Sequence, residues 1–405
     1  MATDPKYLQR AKFYEQIEKR RGRPLIVYAT STRPNVEGMM AGDAVREFVE
    51  QIQAIGKAEA VDVLIHSYGG DPLAAWRIMS TLRETYSKVG VLVPFAAFSA
   101  ATVLSLGADE IVMHPFAALG PIDPQIRAQT ARGEVRFAYE DVGAFLKFIK
   151  EQVGVTEQSF LTPIMDKLFA VAEPLTIGAA QRASDLSSEM GERMLRMHMT
   201  KGKDAARCKD IAQNLNKSFF SHGDAVSRER ARTLGLPIAK PDEDLERLIW
   251  GAFCGLEDYM ELQSTFHPLT AFMKDPQAAG TLTPVPPLAL PADTPPAVLQ
   301  QTWNHVVQQA LQPGKPSPEV PYEIVKVVVE SLRRSAAIVV KGRVTAARLG
   351  QEIKVGVLDV GGGWEVLHEA RQAGNGLQSP RPGTEEVRSG GRSRRARSSK
   401  PAEPM

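Results

Sequence analysis

Cysteine is nearly absent: Cys208 and Cys254 are the whole supply in 405 residues. Two thiols build no disulfide framework, which fits a reducing compartment and a cytoplasmic protein. An excess of either charge is lacking too. The formal net charge is +2, so no global field argues for nucleic acid or an acidic partner. The N-terminus has no apolar core; Met1 to Arg23 is charged throughout and ends in Lys19-Arg20-Arg21-Gly22-Arg23, so no signal peptide is visible. No Gly-x-Gly-x-x-Gly fingerprint follows a strand, and no His/Cys cluster has metal spacing. Neither a dinucleotide cofactor nor a metal is expected.

One stretch has the length of a membrane span. Val89 to Ala108 contains no charged residue, which is long enough to cross a bilayer. Yet Pro94 interrupts it, and β-branched and aromatic residues before Ser99 give way to Ala, Leu and Gly after it. That pattern reads as a buried strand followed by a buried helix, and no span is expected.

What is present suits a large globular domain with an appendage: 43% of residues are hydrophobic, enough for a sizeable core. Residues 1–23 read as a polar helical lead-in. Apolar runs at Pro24–Thr30, Val61–Ile65, Val89–Pro94 and Ile111–Met113 alternate with helical patterns. Asp43 caps one helix and Gly56 ends it; Asp71 and Pro72 open the next. This alternation predicts an α/β fold, a largely parallel sheet with covering helices. From about Tyr139 to Met199 the pattern is helical, and further helices are expected at 227–235 and 242–264. Between Pro268 and Pro321 lie 12 of the 28 prolines, so 268–321 reads as a proline-rich linker and C-terminal extension. Residues 322–369 read as a small module or a segment packing back onto the main domain, with Gly361-Gly362-Gly363 as a turn. A disordered basic tail is expected over 370–405. Its arginines Arg392, Arg394, Arg395 and Arg397 offer weak, salt-sensitive polyanion binding.

The chemistry concentrates at two places. One apolar strand ends in His66-Ser67-Tyr68-Gly69-Gly70-Asp71, and another leads through Val93-Pro94-Phe95-Ala96-Ala97-Phe98 to Ser99 at the mouth of a small-residue helix. Attack by a serine hydroxyl on a carbonyl puts negative charge on oxygen, which two backbone N–H groups stabilise. Glycines free the backbone to aim such groups, and a helix start supplies unpaired N–H donors. Gly69 or Gly70 and Ala100 are the expected oxyanion hole. Taken separately, the glycine pair also reads as a tight turn and Ser99 as a helix cap.

These segments, with Ala108-Asp109-Glu110-Ile111-Val112-Met113, Leu119-Gly120-Pro121-Ile122-Asp123-Pro124-Gln125 and Ser218-Phe219-Phe220-Ser221-His222-Gly223, resemble the serine dehydrogenase proteinase (SDH) family. That family sits with signal peptide peptidase A and the Clp proteolytic subunit in the Clp/crotonase fold. The resemblance covers about residues 24–240; with the change of composition beyond His267, the peptidase domain is expected over 24–267. It implies Ser99 as nucleophile of a serine endopeptidase acting on peptide or protein substrates, in a homo-oligomer. Two positions depart from the family pattern: Tyr68 stands in place of proline, and Ala101 in place of glycine. Relatives use histidine or a buried lysine as base. Candidates here are His222 and Lys217, with Lys147, Lys150 and Lys167 behind them; Asp123 is a candidate orienting group, and His114 reads as a strand-end residue. Alternatives are a catalytically inactive oligomeric scaffold and a crotonase-type acyl-CoA enzyme using Asp71 and Asp123.

Overall fold

The structure, a computed structural model, describes residues 5–130, 133–200, 202–217, 225–282, 293–310, 317–349 and 352–370. The expected basic tail lies outside the described residues, as does His222.

The first half alternates strands and helices: α1 (Pro5–Arg21), β1 (Leu25–Thr30), α2 (Ala44–Ile55), β2 (Ala60–His66), α3 (Pro72–Thr85), β3 (Lys88–Val93), β4 (Ala96–Ala97), α4 (Ala100–Leu106), β5 (Glu110–Met113) and β6 (Ala118–Leu119). A hairpin, β7 (Ile126–Thr130) and β8 (Gly133–Phe137), leads to α5 (Tyr139–Lys147), α6 (Gln158–Phe169), α7 (Pro174–Arg196) and α8 (Gly202–Lys217). Then come β9 (Val226–Ser227), α9 (Arg228–Leu234), β10 (Ile238–Ala239), α10 (Glu243–Met260), α11 (Pro268–Met273), α12 (Pro276–Ala279) and α13 (Pro296–Ala310). Three long strands close the described chain: β11 (Val320–Glu330), β12 (Arg334–Leu349) and β13 (Glu352–Glu369).

Local chemistry explains the boundaries near the site. The Asp43 carboxylate accepts from Ala44 N–H, and Gly56 closes α2 by donating to the Ile52 carbonyl. Asp71 accepts from Leu73 N–H, with Pro72 in the first turn of α3 where no donor is needed. Strands β1, β2 and β3 are almost wholly buried, as continuous apolar runs in a parallel sheet must be.

The central sheet has the order β10-β5-β3-β2-β1-β11-β12-β13. From β10 to β1 the pairings are parallel; β1 with β11, and then β11, β12 and β13, are antiparallel. One face buries Val61, Val63, Ile65, Val91 and Val93 with α2, α3, α4 and α7; the other buries Leu25, Val27, Leu64 and Leu92 with α1 and α10. The fold is therefore α/β, with helices on both sides of a mainly parallel half-sheet. Val89 to Ala108 forms β3, β4 and α4 inside this core. Among the described residues no helix is long and apolar enough to cross a membrane.

In the C-terminal third, residues 322–369 pack back onto the main domain, one of the two expected arrangements, while the described part of the proline-rich stretch departs from the sequence reading. Residues 268–282 pack rather than extend: Phe272, Ala278 and Leu282 are buried with Tyr322, Ile324 and Val344. Pro268 and Pro276 occupy helix first turns, where the missing N–H is not missed, so proline density here starts helices. Residues 283–292 and 311–316 of the expected linker lie outside the described residues. β11 pairs directly with β1, so it belongs to the central sheet. Gly361-Gly362-Gly363 is not a turn but part of β13; a Cβ on Gly362 would come within 2.8 Å of the Val339 carbonyl.

The N-terminal helix is also more than a polar lead-in. It buries Tyr7, Arg10, Tyr14 and Ile17. Arg10 donates from Nε (2.8 Å) and Nη2 (3.1 Å) to the Glu330 carboxylate, which also accepts from Tyr14 (2.5 Å) and Ser335 (2.9 Å). The N-terminal helix and the end of β11 meet in this buried ion pair.

Candidate active site

Ser99 stands between β4 and α4 with φ 51° and ψ −118°. A side chain at positive φ is strained, and Ser99 is half-buried there. The turn is held from several sides. Ser67 N–H donates to Ala96 O at 3.0 Å, and Phe98 N–H to Ser67 O at 2.9 Å. Thr102 Oγ1 lies 2.7 Å from the Ala97 carbonyl and accepts from Gly120 N–H at 3.0 Å. All seven residues of α4 are buried, including Ala101, whose N–H donates to Phe98 O at 3.0 Å. The Ala101 methyl thus sits inside the packed turn.

The glycine pair lies against this turn. Gly69 has φ 108°, and a Cβ there would meet Ser99 Cβ at 2.7 Å, Phe98 O at 2.8 Å and Ala100 N at 3.1 Å. Gly70 has φ 148°, and its Cβ would meet Met40 O at 2.2 Å. No other residue type fits either place without moving backbone. Met40 N–H donates to Gly69 O (2.8 Å) and Asp71 N–H to Met40 O (2.9 Å), bracketing Gly70. Ser67 Oγ accepts from Gly69 N–H at 3.0 Å and from Thr30 Oγ1 at 2.8 Å. Gly69 N–H is therefore engaged, whereas the N–H groups of Gly70 and Ala100 donate to no other described residue. Ser67 and Met40 had no assigned part in the sequence reading; Ser67 stood within the motif, and nothing in the sequence singles out Met40.

The neighbourhood is apolar and aromatic. Tyr68 stacks on Phe98 with centroids 5.3 Å apart and planes 14° apart. His66, buried on the opposite side of β2, packs on Phe253 at 4.8 Å, and burial lowers its pKa from 6.5 to about 4. His114 accepts from Phe116 N–H through Nδ1 at 3.2 Å and stacks on Trp250. Burial lowers its pKa as well.

The candidate base residues are placed as follows. Asp123 is buried and accepts from Gln125 Nε2 at 3.0 Å. Lys217 is the last residue of α8, with an exposed side chain. The two come from adjoining stretches, because Ile122 N–H donates to Leu215 O at 2.9 Å. Lys147, Lys150 and Lys167 are exposed. His222 lies outside the described residues.

Comparison with known proteins bears on residues 36–144, which match the family described as ClpP-like SDH-type serine proteinase. Two uncharacterised proteins of Methanocaldococcus jannaschii are 39% identical over 98 residues and 38% identical over 80 residues. Those stretches cover 24% and 20% of this chain but only 34% and 27% of the relatives, about a third of their length. Among solved structures, a variant of the 1510-N membrane-bound stomatin-specific protease is 14% identical. It covers 52% of this chain and 80% of its own, with a TM-score of 0.33. ClpP1 from Listeria monocytogenes, also 14% identical, covers 57% of this chain and 97% of its own, with a TM-score of 0.30. The glycine pair and Ser99 both lie inside residues 36–144, the stretch that is similar to the ClpP-like SDH-type serine proteinase family.

Proposed function

We propose that this chain is a serine peptidase that cleaves polypeptides through an acyl-enzyme on Ser99. The observation that carries the reading is the conjunction at one turn. A serine at φ 51° opens a buried helix, directly against a glycine whose Cβ would touch it. Ser99 Oγ attacks the scissile carbonyl, and the hydroxyl proton passes to a base. The tetrahedral oxyanion then accepts from the N–H groups of Gly70 and Ala100, and the start of α4 adds its dipole. Gly69 serves by close approach, its own N–H being held by Ser67 Oγ. Collapse of the intermediate breaks the C–N bond, the base returns its proton to the leaving amine, and water releases the acyl group.

We assign the base to the stretch of sequence from the last residue of α8 onward, which carries Lys217 and His222, with Asp123 orienting it. The backbone bond between Ile122 and Leu215 supports this, since it joins the two stretches. We place the enzyme in the cytoplasm, where Cys208 and Cys254 remain thiols. One observation favours the inactive scaffold instead: Ser99 Oγ makes no hydrogen bond within its helix cap, nor to another described residue.

A fluorophosphonate probe decides between them. The wild type should label on Ser99 and hydrolyse an unfolded protein substrate; Ser99→Ala should do neither while keeping its melting temperature. Absence of labelling in the wild type, or equal hydrolysis by both proteins, overturns the acyl-enzyme reading.

A further inference from the structure

The central sheet ends differently at its two edges. β10 is 2 residues long, whereas β13 runs for 18, with no strand on its outer side among the described residues. A free edge is a row of unmade backbone hydrogen bonds, which folded proteins usually shorten, charge or cover. The middle of β13 does the reverse. It reads Gly356-Val357-Leu358-Asp359-Val360-Gly361-Gly362-Gly363, and Val357, Leu358 and Val360 are 48%, 60% and 64% exposed.

We propose that this edge pairs antiparallel with β13 of a second copy of the chain, continuing one sheet into the other about a two-fold axis. The proposal does not depend on the chemistry of Ser99. Two identical edges paired antiparallel are related by an axis perpendicular to the sheet, so residues set opposite each other must lie on the same face. In an unbroken strand, two residues an odd number of places apart lie on opposite faces. β13 is broken: Gly342 pairs with Asp359 while Lys341 pairs with Gly361, leaving Val360 as an inserted bulge residue. Alternation slips by one there. Lys354, Gly356, Leu358, Gly361, Gly363 and Glu365 pair with Ala347, Thr345, Arg343, Lys341, Val339 and Ala337 of β12. Those β12 partners alternate along one face, so all six share it. Val355, Val357, Gly362 and Trp364 pair with Ala346, Val344, Val340 and Ile338, and share the other.

The bulge therefore permits a register in which Lys354 faces Glu365 of the second copy on a common face, an arrangement an unbroken strand forbids. The same register sets Leu358 against Gly361, Gly356 against Gly363, Val357 against Gly362 and Val355 against Trp364. Asp359 and Val360 fall opposite each other beside the two-fold axis; outside that central pair, each bulky residue meets a glycine or, for valine and tryptophan, a favoured cross-strand partner. Opposite charges meet, and every pair occurs twice by symmetry. Lys354 and Glu365 are accessible for this, with side chains 64% and 41% exposed beside their present partners Glu352 and Lys341.

The test uses the full-length chain with Cys208→Ser and Cys254→Ser. Lys354→Cys with Glu365→Cys should oxidise to a covalent dimer, while Glu352→Cys with Glu365→Cys, out of register, should not. With native cysteines, Lys354→Glu sets like charges opposite each other twice and should weaken self-association roughly tenfold in sedimentation. Lys354→Glu with Glu365→Lys should restore it. No cross-link in register, equal cross-linking out of register, or unchanged self-association of Lys354→Glu overturns the proposal. So does a monomer whose 356–363 amides resist hydrogen exchange, which would mean that the chain's own tail covers the edge.

Discussion

Replacing Gly69 by alanine tests whether close approach of two loops builds the site. The new Cβ would sit 2.7 Å from Ser99 Cβ, 2.8 Å from Phe98 O and 3.1 Å from Ala100 N. Two of these atoms are backbone and the third belongs to the strained serine, so no flexible side chain yields. The φ of 108° adds strain for any L side chain, on the order of 1–3 kcal/mol. Relief requires the two loops to part by several tenths of an ångström, a further ~1–3 kcal/mol by analogy with overpacked cores. We expect Gly69→Ala to lose about 3 kcal/mol, read as a fall in the urea midpoint. Fluorophosphonate labelling should slow at least ~10-fold, since misplacing a reacting group by 1 Å costs about 100-fold. Gly22→Ala is the control: its φ is 67°, with nothing within 4 Å of the added Cβ. It should lose only about 1 kcal/mol and label normally. Gly69→Ala with wild-type stability and labelling rate would refute the reasoning.

Other perturbations follow from the same structure. Glu330→Ala leaves Arg10 buried and unpaired, a loss of about 3–5 kcal/mol. Adding Arg10→Met should recover part of it, and a single variant as stable as wild type in urea would contradict this. A chain ending at His267 exposes β1, which pairs with β11, and strips Arg10 of its carboxylate. It should be insoluble, so a soluble monodisperse product would count against the described packing. His66 is 1% exposed and its pKa falls from 6.5 to about 4 in the folded state. Below about 6.5 the unfolded chain therefore binds a proton that the folded chain does not, and stability falls as the pH is lowered from about 6.5 toward 4. Between about pH 7 and pH 5 the His66 share is roughly 2 kcal/mol. His66→Gln should flatten the difference between urea midpoints at those two values, and an unchanged difference would exclude the residue as its source.

The parallel half of the sheet was legible because its strands are uninterrupted apolar runs bounded by Asp, Gly and Pro. Those signals are local, and they gave β1, β2, β3 and β5 nearly at their observed limits. The closeness of Gly69 and Ser99 was legible for a related reason: paired glycines and a small-residue helix are what a tight backbone crossing needs. The antiparallel half was not, because its meaning lies in partners far along the chain. Val327-Val328-Val329-Glu330 looks like any strand until β1 stands beside it, and Glu330 looks exposed until Arg10 and Tyr14 surround it. At Pro268 and Pro276 position decides the meaning of proline: the residue that breaks a helix interior starts α11 and α12 there. Lys217 has no signature beyond its charge, and a base is identified by the environment that shifts its pKa.

That antiparallel half also reaches the site through the backbone. Ser31 N–H donates to Lys326 O of β11 at 2.7 Å, and Gly38 N–H donates to Ser31 O at 2.7 Å. Gly38 lies so close to β11 that a Cβ would fall 2.1 Å from the Lys326 carbonyl. Two residues on, Met40 takes up both sides of Gly70, and Gly69 rests on Ser99. Each step is a backbone contact admitting little side-chain slack, and three of its residues are glycines because nothing larger fits. Position therefore passes from β11 through the loop after β1 to the glycine pair and on to the serine turn. The same strand, through Glu330, is anchored to α1. The C-terminal strands thus buttress the parallel core at the place where its strand ends carry Ser99 and the glycine pair. A change at the Arg10–Glu330 pair should accordingly be felt at Ser99, although the two lie on different elements and share no side-chain contact.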